Sequence, residues 1–402
     1  MSLREKLGPA STEIQEWQPL PPEWQPEFSL EGPGGRARQL WEEIFTERKE
    51  RLAPHFQLLF TGIGRAVALR GGEDIPQIRE YPDGSIVPGY VDLERRFGSV
   101  PKALFLVASP ARAGEIIALR ALAREYKEQG VRAVIPVLTA LHHERQDHRF
   151  HDDQGEVIHE ATTLKDVVEI LASGGYIDGA LLVQPHSMRP TELGLRNGLP
   201  ILPIDPFNFS YKQTSFERIP QSERFVMGPD KGRKDVARRA ASLLQCPQAS
   251  AEKRRARTKD GYPIIHIPEK VLEYIKENGC TVLAVDDEVR QGGTLFELAE
   301  ALTDYADGLI VWVTKLIAAG RAVERLQHSL IKNIVTTDAV CPVTDVGPIK
   351  DKLRVISLEG EIRALVAYLQ RNLVDPSNRN WLVSPKETGT QLQLDLRVEK
   401  YE

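Results

Sequence analysis

Cysteine, methionine and long apolar stretches are all scarce in this chain of 402 residues, which has 3 cysteines and 3 methionines. Cys246, Cys280 and Cys341 lie far apart, a spacing that argues against a disulfide framework and against a cysteine-ligated metal. No apolar run approaches the roughly 20 residues that a membrane-spanning helix requires. The first residues lack the apolar segment of a signal peptide. We therefore expect a cytoplasmic protein that does not enter a membrane.

A strong excess of either charge is also absent. The chain has 52 lysines and arginines and 57 aspartates and glutamates, for a formal net charge of −5 at pH 7. This slightly acidic balance argues against partners such as nucleic acid or an anionic membrane. The 41% of hydrophobic and 27% of charged residues are ordinary for a globular chain, so the composition fits an enzyme with small-molecule substrates.

The order of predicted elements divides the chain into four parts. Residues 1–55 form an arm rich in proline and tryptophan, in which the sequence EWQP occurs twice. Short apolar strands then alternate with amphipathic helices over residues 56–205, and the alternation restarts after a proline-rich join over residues 206–372. Residues 373–402 read as an irregular tail. The alternation predicts an α/β protein with two tandem domains, each with a mostly parallel central sheet flanked by helices.

The most informative segment follows the predicted strand Thr281–Val285. Asp286 and Asp287 close this strand, a glycine pair permits a tight turn, and Thr294 is suited to cap the next helix. Backbone N–H groups at a helix start bind phosphate, while carboxylates bind ribose hydroxyls or a metal. The pattern therefore predicts a sugar-phosphate site. The alternative is an ordinary capped turn with two solvated aspartates.

Other polar residues follow predicted strands, where ligands collect in open α/β sheets. Arg145 and Gln146 suit a phosphate and a base edge, although a solvated charged loop is the simpler interpretation. His186 comes directly after a strand, where a histidine is more often a structural hydrogen-bonding group than a ligand. Asp230 follows a strand shortly before a helix, and one interpretation is that it serves as a helix N-cap and not as a ligand.

A dense basic segment spans residues 250–263 of this acidic protein. A flexible surface loop is one interpretation. The functional interpretation is a mobile lid whose cations neutralise a polyphosphate transition state. Its cationic residues are Lys253, Arg254, Arg255, Arg257 and Lys259.

Taken in this order, the clusters over roughly residues 56–372 resemble those of the ribose-phosphate pyrophosphokinases, also called phosphoribosyl pyrophosphate synthetases. The sugar-phosphate loop of that family is similar to residues 286–294. By this resemblance, the ATP-contacting residues are Arg145, Gln146 and Asp147, with a weaker match at Asp83 within Tyr81–Ser85. The residues implied for the sugar phosphate are Asp286, Asp287, Arg290, Gln291, Gly292, Gly293 and Thr294.

The same resemblance implies a metal, a catalytic loop and a fold. His186 and Asp230 match the metal-binding positions, and Lys253 and Arg255 match the catalytic pair of the flexible loop. The family implies two phosphoribosyltransferase-type domains, Mg²⁺ with ATP, and a homodimer or higher homo-oligomer. It implies that the 1-hydroxyl of ribose 5-phosphate attacks the β-phosphorus of ATP, giving phosphoribosyl pyrophosphate and AMP.

Four positions depart from the family pattern. Gln184 replaces an aspartate near the metal, and Ser85 replaces a glutamate of the ATP segment. Arg290 and Gln291 replace a third acidic residue and a small hydroxyl residue of the sugar-phosphate loop. Three interpretations stay open: an active enzyme, with a related sugar phosphate as one possible acceptor; a non-catalytic homologue that binds nucleotide and regulates a partner; and, with less support, a simple phosphoribosyltransferase.

Overall fold

The computed structural model describes residues 56–61, 78–82, 85–146, 162–207, 211–257, 263–363 and 365–366. The predicted arm over residues 1–55 and the tail over residues 373–402 lie outside these residues. The chain forms two compact units, with the division between Asp205 and Pro206. Among the described residues, the N-terminal unit contains those from 56 to 205 and those from 357 to 366, and the C-terminal unit contains those from 206 to 356.

The N-terminal unit is built on a parallel sheet of five strands in the order β1-β4-β5-β6-β7. The strands β2 and β3 form a separate antiparallel pair. The strands of this unit are β1 (Phe56–Phe60), β2 (Ile78–Glu80), β3 (Ile86–Pro88), β4 (Ala103–Ala108), β5 (Ala133–Leu138), β6 (Ala180–Val183) and β7 (Ile201–Ile204). The helices are α1 (Leu93–Phe97), α2 (Ala113–Glu128), α3 (Leu164–Ala172) and α4 (Arg189–Arg196), with a 3-10 turn at Ser173–Gly175.

The C-terminal unit contains a parallel sheet of six strands in the order β15-β14-β13-β12-β8-β9. Its strands are β8 (Arg224–Gly228), β9 (Gln248–Ser250), β10 (Glu252–Arg257), β11 (Pro263–His266), β12 (Thr281–Val289), β13 (Gly308–Leu316), β14 (Ile331–Thr337) and β15 (Leu353–Ile356). The helices are α5 (Lys234–Leu244), α6 (Glu269–Glu277), α7 (Gly293–Leu302) and α8 (Ala322–Leu326). Short 3-10 turns occupy Tyr211–Thr214, Phe216–Arg218, Gln221–Glu223, Lys231–Arg233 and Gly347–Ile349.

The burial pattern explains why these segments form parallel sheets. All six residues of β4 and all nine of β13 are buried, because helices and loops cover both faces of a parallel sheet. Helix α2 buries residues three or four apart, among them Ile116, Leu119 and Tyr126, so that one of its faces packs on the core. Trp312, fully buried on β13, meets Phe207 edge to face at 4.7 Å between ring centroids.

The predicted fold class is confirmed, with parallel sheets in both units and helices that flank them. Part of the basic segment, which the sequence predicted as a surface loop or a lid, is a strand. Its residues Glu252–Arg257 form β10, which pairs antiparallel with β11 in a two-stranded ribbon. Within the described part of the chain, no helix is long and apolar enough to cross a bilayer.

Candidate active site

The acidic pair, Asp286 and Asp287, lies in the second half of β12 rather than after it. The sequence predicted a strand that ends at Val285, whereas β12 continues in register with β13 as far as Val289. On its other side, β12 pairs with β8 only from Thr281 to Ala284. The acidic pair therefore lies beyond the residues that pair with β8, at the carboxyl end of the strands, where the connection from β8 to α5 begins.

Arg233 in that connection binds both members of the acidic pair. Its Nε lies 3.0 Å from Asp286 Oδ1 and its Nη2 lies 3.1 Å from Asp287 Oδ1. The backbone N–H of Asp287 also donates to Asp286 Oδ1 at 2.9 Å. Arg233 is only 8% exposed, so this is a largely desolvated set of charges. Sequence reasoning missed this residue, although a cation three positions after Asp230 in a strand-to-helix connection was a usable signal.

The environment of Asp286 shifts the pKa of its carboxyl. Burial is the first cause that raises the pKa of Asp286 well above its ordinary value, and the negative charge of Asp287 is the second. The guanidinium of Arg233 opposes this shift of the pKa, and the charge of Asp230 adds to it. Asp230 and the acidic pair therefore belong to one electrostatic cluster.

Asp230 and Lys253, predicted as a metal ligand and a catalytic cation, form an ion pair. Lys253 Nζ on β10 lies 2.5 Å from Asp230 Oδ2. The Asp230 side chain makes no capping bond to the turn that follows it, so the interpretation as a helix cap is wrong. Beside this pair, Lys231 Nζ lies 3.0 Å from Glu252 Oε1. Two ion pairs thus join the β8–α5 connection to the basic ribbon, and Arg255 lies on the same strand as Lys253.

The turn between β12 and α7 has the expected glycines but a different cap. Gly292 has a φ of 72°, in the left-handed region, and it is the N-cap residue immediately before the helix. Helix α7 therefore starts at Gly293, and Thr294 lies inside its first turn instead of capping it. The N-cap residue makes no side-chain hydrogen bond to this helix, and N–H groups at a helix start of this kind can bind a phosphate.

The two substituted positions of this turn are held by neighbouring elements. Arg290 Nε lies 2.5 Å from Glu288 Oε1, a carboxylate that is almost completely buried. Arg290 O accepts a hydrogen bond from the N–H of Ala319 at 2.7 Å, and Gln291 O accepts one from Arg325 Nη1 at 2.7 Å. The loops after β12 and β13 are thereby fastened together, which fixes the shape of the predicted phosphate turn.

In the N-terminal unit, the buried carboxylate of Glu144 connects the segment of the predicted ATP-binding residues with that of the predicted metal ligand His186. Glu144, 3% exposed, accepts a hydrogen bond on Oε1 from the backbone N–H of His186 at 2.7 Å. Gln184, two residues earlier, has a φ of 36° and donates its N–H to Ile204 O at 2.7 Å. Gln146 Oε1 accepts a hydrogen bond from Thr163 Oγ1. Sequence reasoning missed the role of Glu144, whose only signal was its place inside the HHERQDH cluster.

Some predicted residues cannot be placed beside these. Asp83 and Asp147 lie outside the described residues. His186 belongs to the N-terminal unit and Asp230 to the C-terminal unit, so their shared Mg²⁺ stays a prediction. No group of three or more His, Cys, Asp or Glu side chains suited to a metal occurs among the residues that the structure describes. Mg²⁺ commonly uses one or two protein carboxylates and several waters, and the partly exposed carboxylate of Asp230 fits that mode.

Comparisons with known proteins agree with the resemblance in sequence. No family model matches the chain. The ribose-phosphate pyrophosphokinase of Saccharolobus solfataricus is 27% identical over 226 residues, which cover 56% of this chain and 72% of the relative. That of Sulfurisphaera tokodaii is 27% identical over 241 residues, 58% of this chain and 76% of the relative. That of Rhizobium meliloti is 37% identical over 134 residues, 33% of this chain and 40% of the relative.

The fold has a solved counterpart. The crystal structure of phosphoribosylpyrophosphate synthetase from Mycobacterium smegmatis aligns with a TM-score of 0.60 over 79% of this chain and 100% of that chain, at 19% identity. This likeness supports the two-unit, phosphoribosyltransferase-type fold. Together with the relatives found by sequence, it supports the resemblance of this chain to the ribose-phosphate pyrophosphokinase family, at the low identity of a divergent sequence.

Proposed function

We propose that this protein transfers pyrophosphate from ATP to the 1-hydroxyl of ribose 5-phosphate or a related sugar phosphate. The products are phosphoribosyl pyrophosphate, or its analogue, and AMP. The observation that carries the proposal is the cluster in the C-terminal unit. There the candidate cation Lys253 lies 2.5 Å from the candidate metal ligand Asp230, whose charge acts on Asp286 of the acidic pair. Three roles predicted from separate segments thus meet in one place.

Each part of the cluster has a chemical task in this reaction. The uncapped start of α7 receives the phosphate of the acceptor, and the acidic pair orients its hydroxyls. Lys253 and Arg255 stabilise the charge that develops on the transferred phosphates. Arg145 and Gln146 bind the nucleotide. Asp230 and, by the family resemblance, His186 are the residues that would hold Mg²⁺, which would supply positive charge to the phosphates.

A second function, a nucleotide-binding regulatory homologue, is favoured by a different observation. The cations and carboxylates of the site already neutralise one another, since Lys253 pairs with Asp230 and Arg233 binds the acidic pair. Gln184 and Arg290 also stand where the family has carboxylates. In a subunit without turnover these ion pairs can stay intact. In an active enzyme, Lys253 must leave Asp230 and contact the phosphates of the substrate.

The formation of AMP separates these two functions. The purified protein is incubated with ATP, Mg²⁺ and ribose 5-phosphate, and AMP is followed by chromatography. Reactions without the acceptor, and reactions with Lys253→Ala, serve as controls. Acceptor-dependent AMP that is lost in the variant supports the enzyme. If ATP binds but no AMP forms with ribose 5-phosphate or its close analogues, the regulatory function is the better one.

A further inference from the structure

The two carboxylates of the acidic pair are not equivalent. The Asp287 side chain is 1% exposed, while that of Asp286 is 13% exposed. Both residues lie on one strand, and the same guanidinium reaches both, with distances of 3.0 Å and 3.1 Å. Asp287 is therefore enclosed by protein on the side where Arg233 lies, and Asp286 is the member that retains access to solvent.

The oxygens of Asp286 are also divided between two tasks. Its Oδ1 lies 3.0 Å from Arg233 Nε and accepts a hydrogen bond from the backbone N–H of Asp287. A carboxylate has two oxygens with about four lone-pair directions, so Oδ2 keeps the capacity to accept from a ligand. Arg233, itself 8% exposed, sits against the acidic pair as a fixed internal partner rather than as a mobile surface cation.

We infer that Arg233 determines which sugar phosphate the site accepts, by withdrawing Asp287 from contact with the ligand. This inference rests on the proposed function, because it concerns the acceptor of that reaction. A site with two accessible carboxylates recognises two neighbouring hydroxyls of a ribose. This site has one accessible carboxylate, that of Asp286, and it therefore recognises one hydroxyl. The acceptor class is therefore pentose 5-phosphates that have a 1-hydroxyl and one of the two hydroxyls at C2 and C3.

The size of the expected effect follows from the hydrogen bonds. A hydroxyl that donates to a carboxylate contributes strongly to affinity, and a ligand without it leaves that carboxylate partly desolvated and unmatched. Loss of the recognised hydroxyl should weaken binding by about tenfold or more. Loss of the other hydroxyl, which meets no carboxylate, should change the dissociation constant by less than about threefold.

Calorimetric titration tests this without turnover. The probes are ribose 5-phosphate, 2-deoxyribose 5-phosphate and 3-deoxyribose 5-phosphate, each with the full-length protein. The inference requires that one deoxy analogue binds nearly as well as ribose 5-phosphate and that the other binds about tenfold or more weakly. If both analogues lose that much, two hydroxyls are recognised and the inference is wrong. If neither loses affinity, or if none of the three binds, it is also wrong.

A variant tests the part played by Arg233. Arg233→Ala removes the internal cation and opens a space beside Asp287, so the analogue that was tolerated should now bind about tenfold more weakly than ribose 5-phosphate. Arg124→Ala, which removes an arginine from an exposed ion pair with Glu128 on α2, is the control for the lost charge. An Arg233→Ala protein that folds, as judged by circular dichroism, and still tolerates the same analogue contradicts the inference. If that variant does not fold, the comparison of analogues on the unaltered protein still decides.

Recognition of the sugar and formation of AMP are measured separately, so one of the two expectations can fail while the other holds. If the analogues bind as expected but no AMP forms with any of them, the proposed reaction fails while the recognition of one hydroxyl stands. If AMP forms with ribose 5-phosphate and both analogues are poor ligands, the reaction stands and the role of Arg233 is wrong.

Discussion

Replacement of Lys253 by alanine should separate a catalytic role from a structural one. The ion pair between Lys253 and Asp230 is short, at 2.5 Å, but the two side chains are 37% and 23% exposed. Water screens such a pair, so its loss should lower the free energy of unfolding by about 1 kcal/mol or less. A cation that stabilises the transition state is worth more. We expect kcat to fall about a hundredfold or more, which corresponds to roughly 2.7 kcal/mol.

The assay measures AMP production at saturating ATP and acceptor, with thermal unfolding of the same samples. The apparent KM should change less than kcat, because the cation acts mainly after substrate has displaced Asp230 from it. Lys231→Ala is the matched control. It removes a neighbouring lysine that pairs with Glu252 at 3.0 Å, joining the same two segments. It should show a similar small loss of stability and less than a threefold change in kcat, within about the range of surface substitutions.

The reasoning fails if Lys253→Ala retains its turnover, or if Lys231→Ala loses as much. In the first case the basic ribbon has no catalytic cation at this position, and the regulatory function gains support. In the second case the ion pairs hold the ribbon in place, and the loss of kcat reports structure rather than chemistry.

Three further predictions concern the charged cluster, the substituted turn and the thiols. Arg233→Met should lower the free energy of unfolding at pH 7 by about 3 kcal/mol, because the buried Asp287 and the half-buried Asp286 lose their cation. Loss of this cation raises the pKa of Asp286 further, so the folded state binds more protons than the unfolded one, and the loss measured by denaturant titration should shrink as the pH falls towards about 5. Replacement of Arg290 by aspartate together with Gln291 by threonine should raise kcat/KM for ribose 5-phosphate; equal values for the variant and the unaltered protein, with normal folding, would show that these positions do not set acceptor use. In the native protein, a thiol reagent should modify Cys341, which is exposed, and should leave Cys246 and Cys280 unmodified. Burial hides these two thiols and raises the pKa of Cys246 to about 12 and that of Cys280 to about 11.

Much of the architecture was predictable from local patterns in the sequence. A parallel strand covered on both faces reads as an uninterrupted apolar run, and β4, β5 and residues 308–313 of β13 are such runs. The helix α7 was predictable because a glycine turn precedes an amphipathic segment. The ends of elements were less certain. The carboxylates of Asp286 and Asp287 suggested that β12 stops before them, but hydrogen bonds to β13 extend it to Val289.

The sequence by itself determined the residue types of the candidate site and the order in which they occur, which was sufficient to predict the resemblance to the ribose-phosphate pyrophosphokinases. It did not determine which charges meet. Lys253 and Asp230 are 23 positions apart, and Arg233 and Asp286 are further apart still. Only the parallel order of β8 beside β12, and the antiparallel ribbon of β10 and β11, bring these residues together. The propensity of a segment to form a helix or a strand depends on its neighbours along the chain. An ion pair between distant residues depends instead on the order of strands in the sheet, and only the tertiary structure establishes that order.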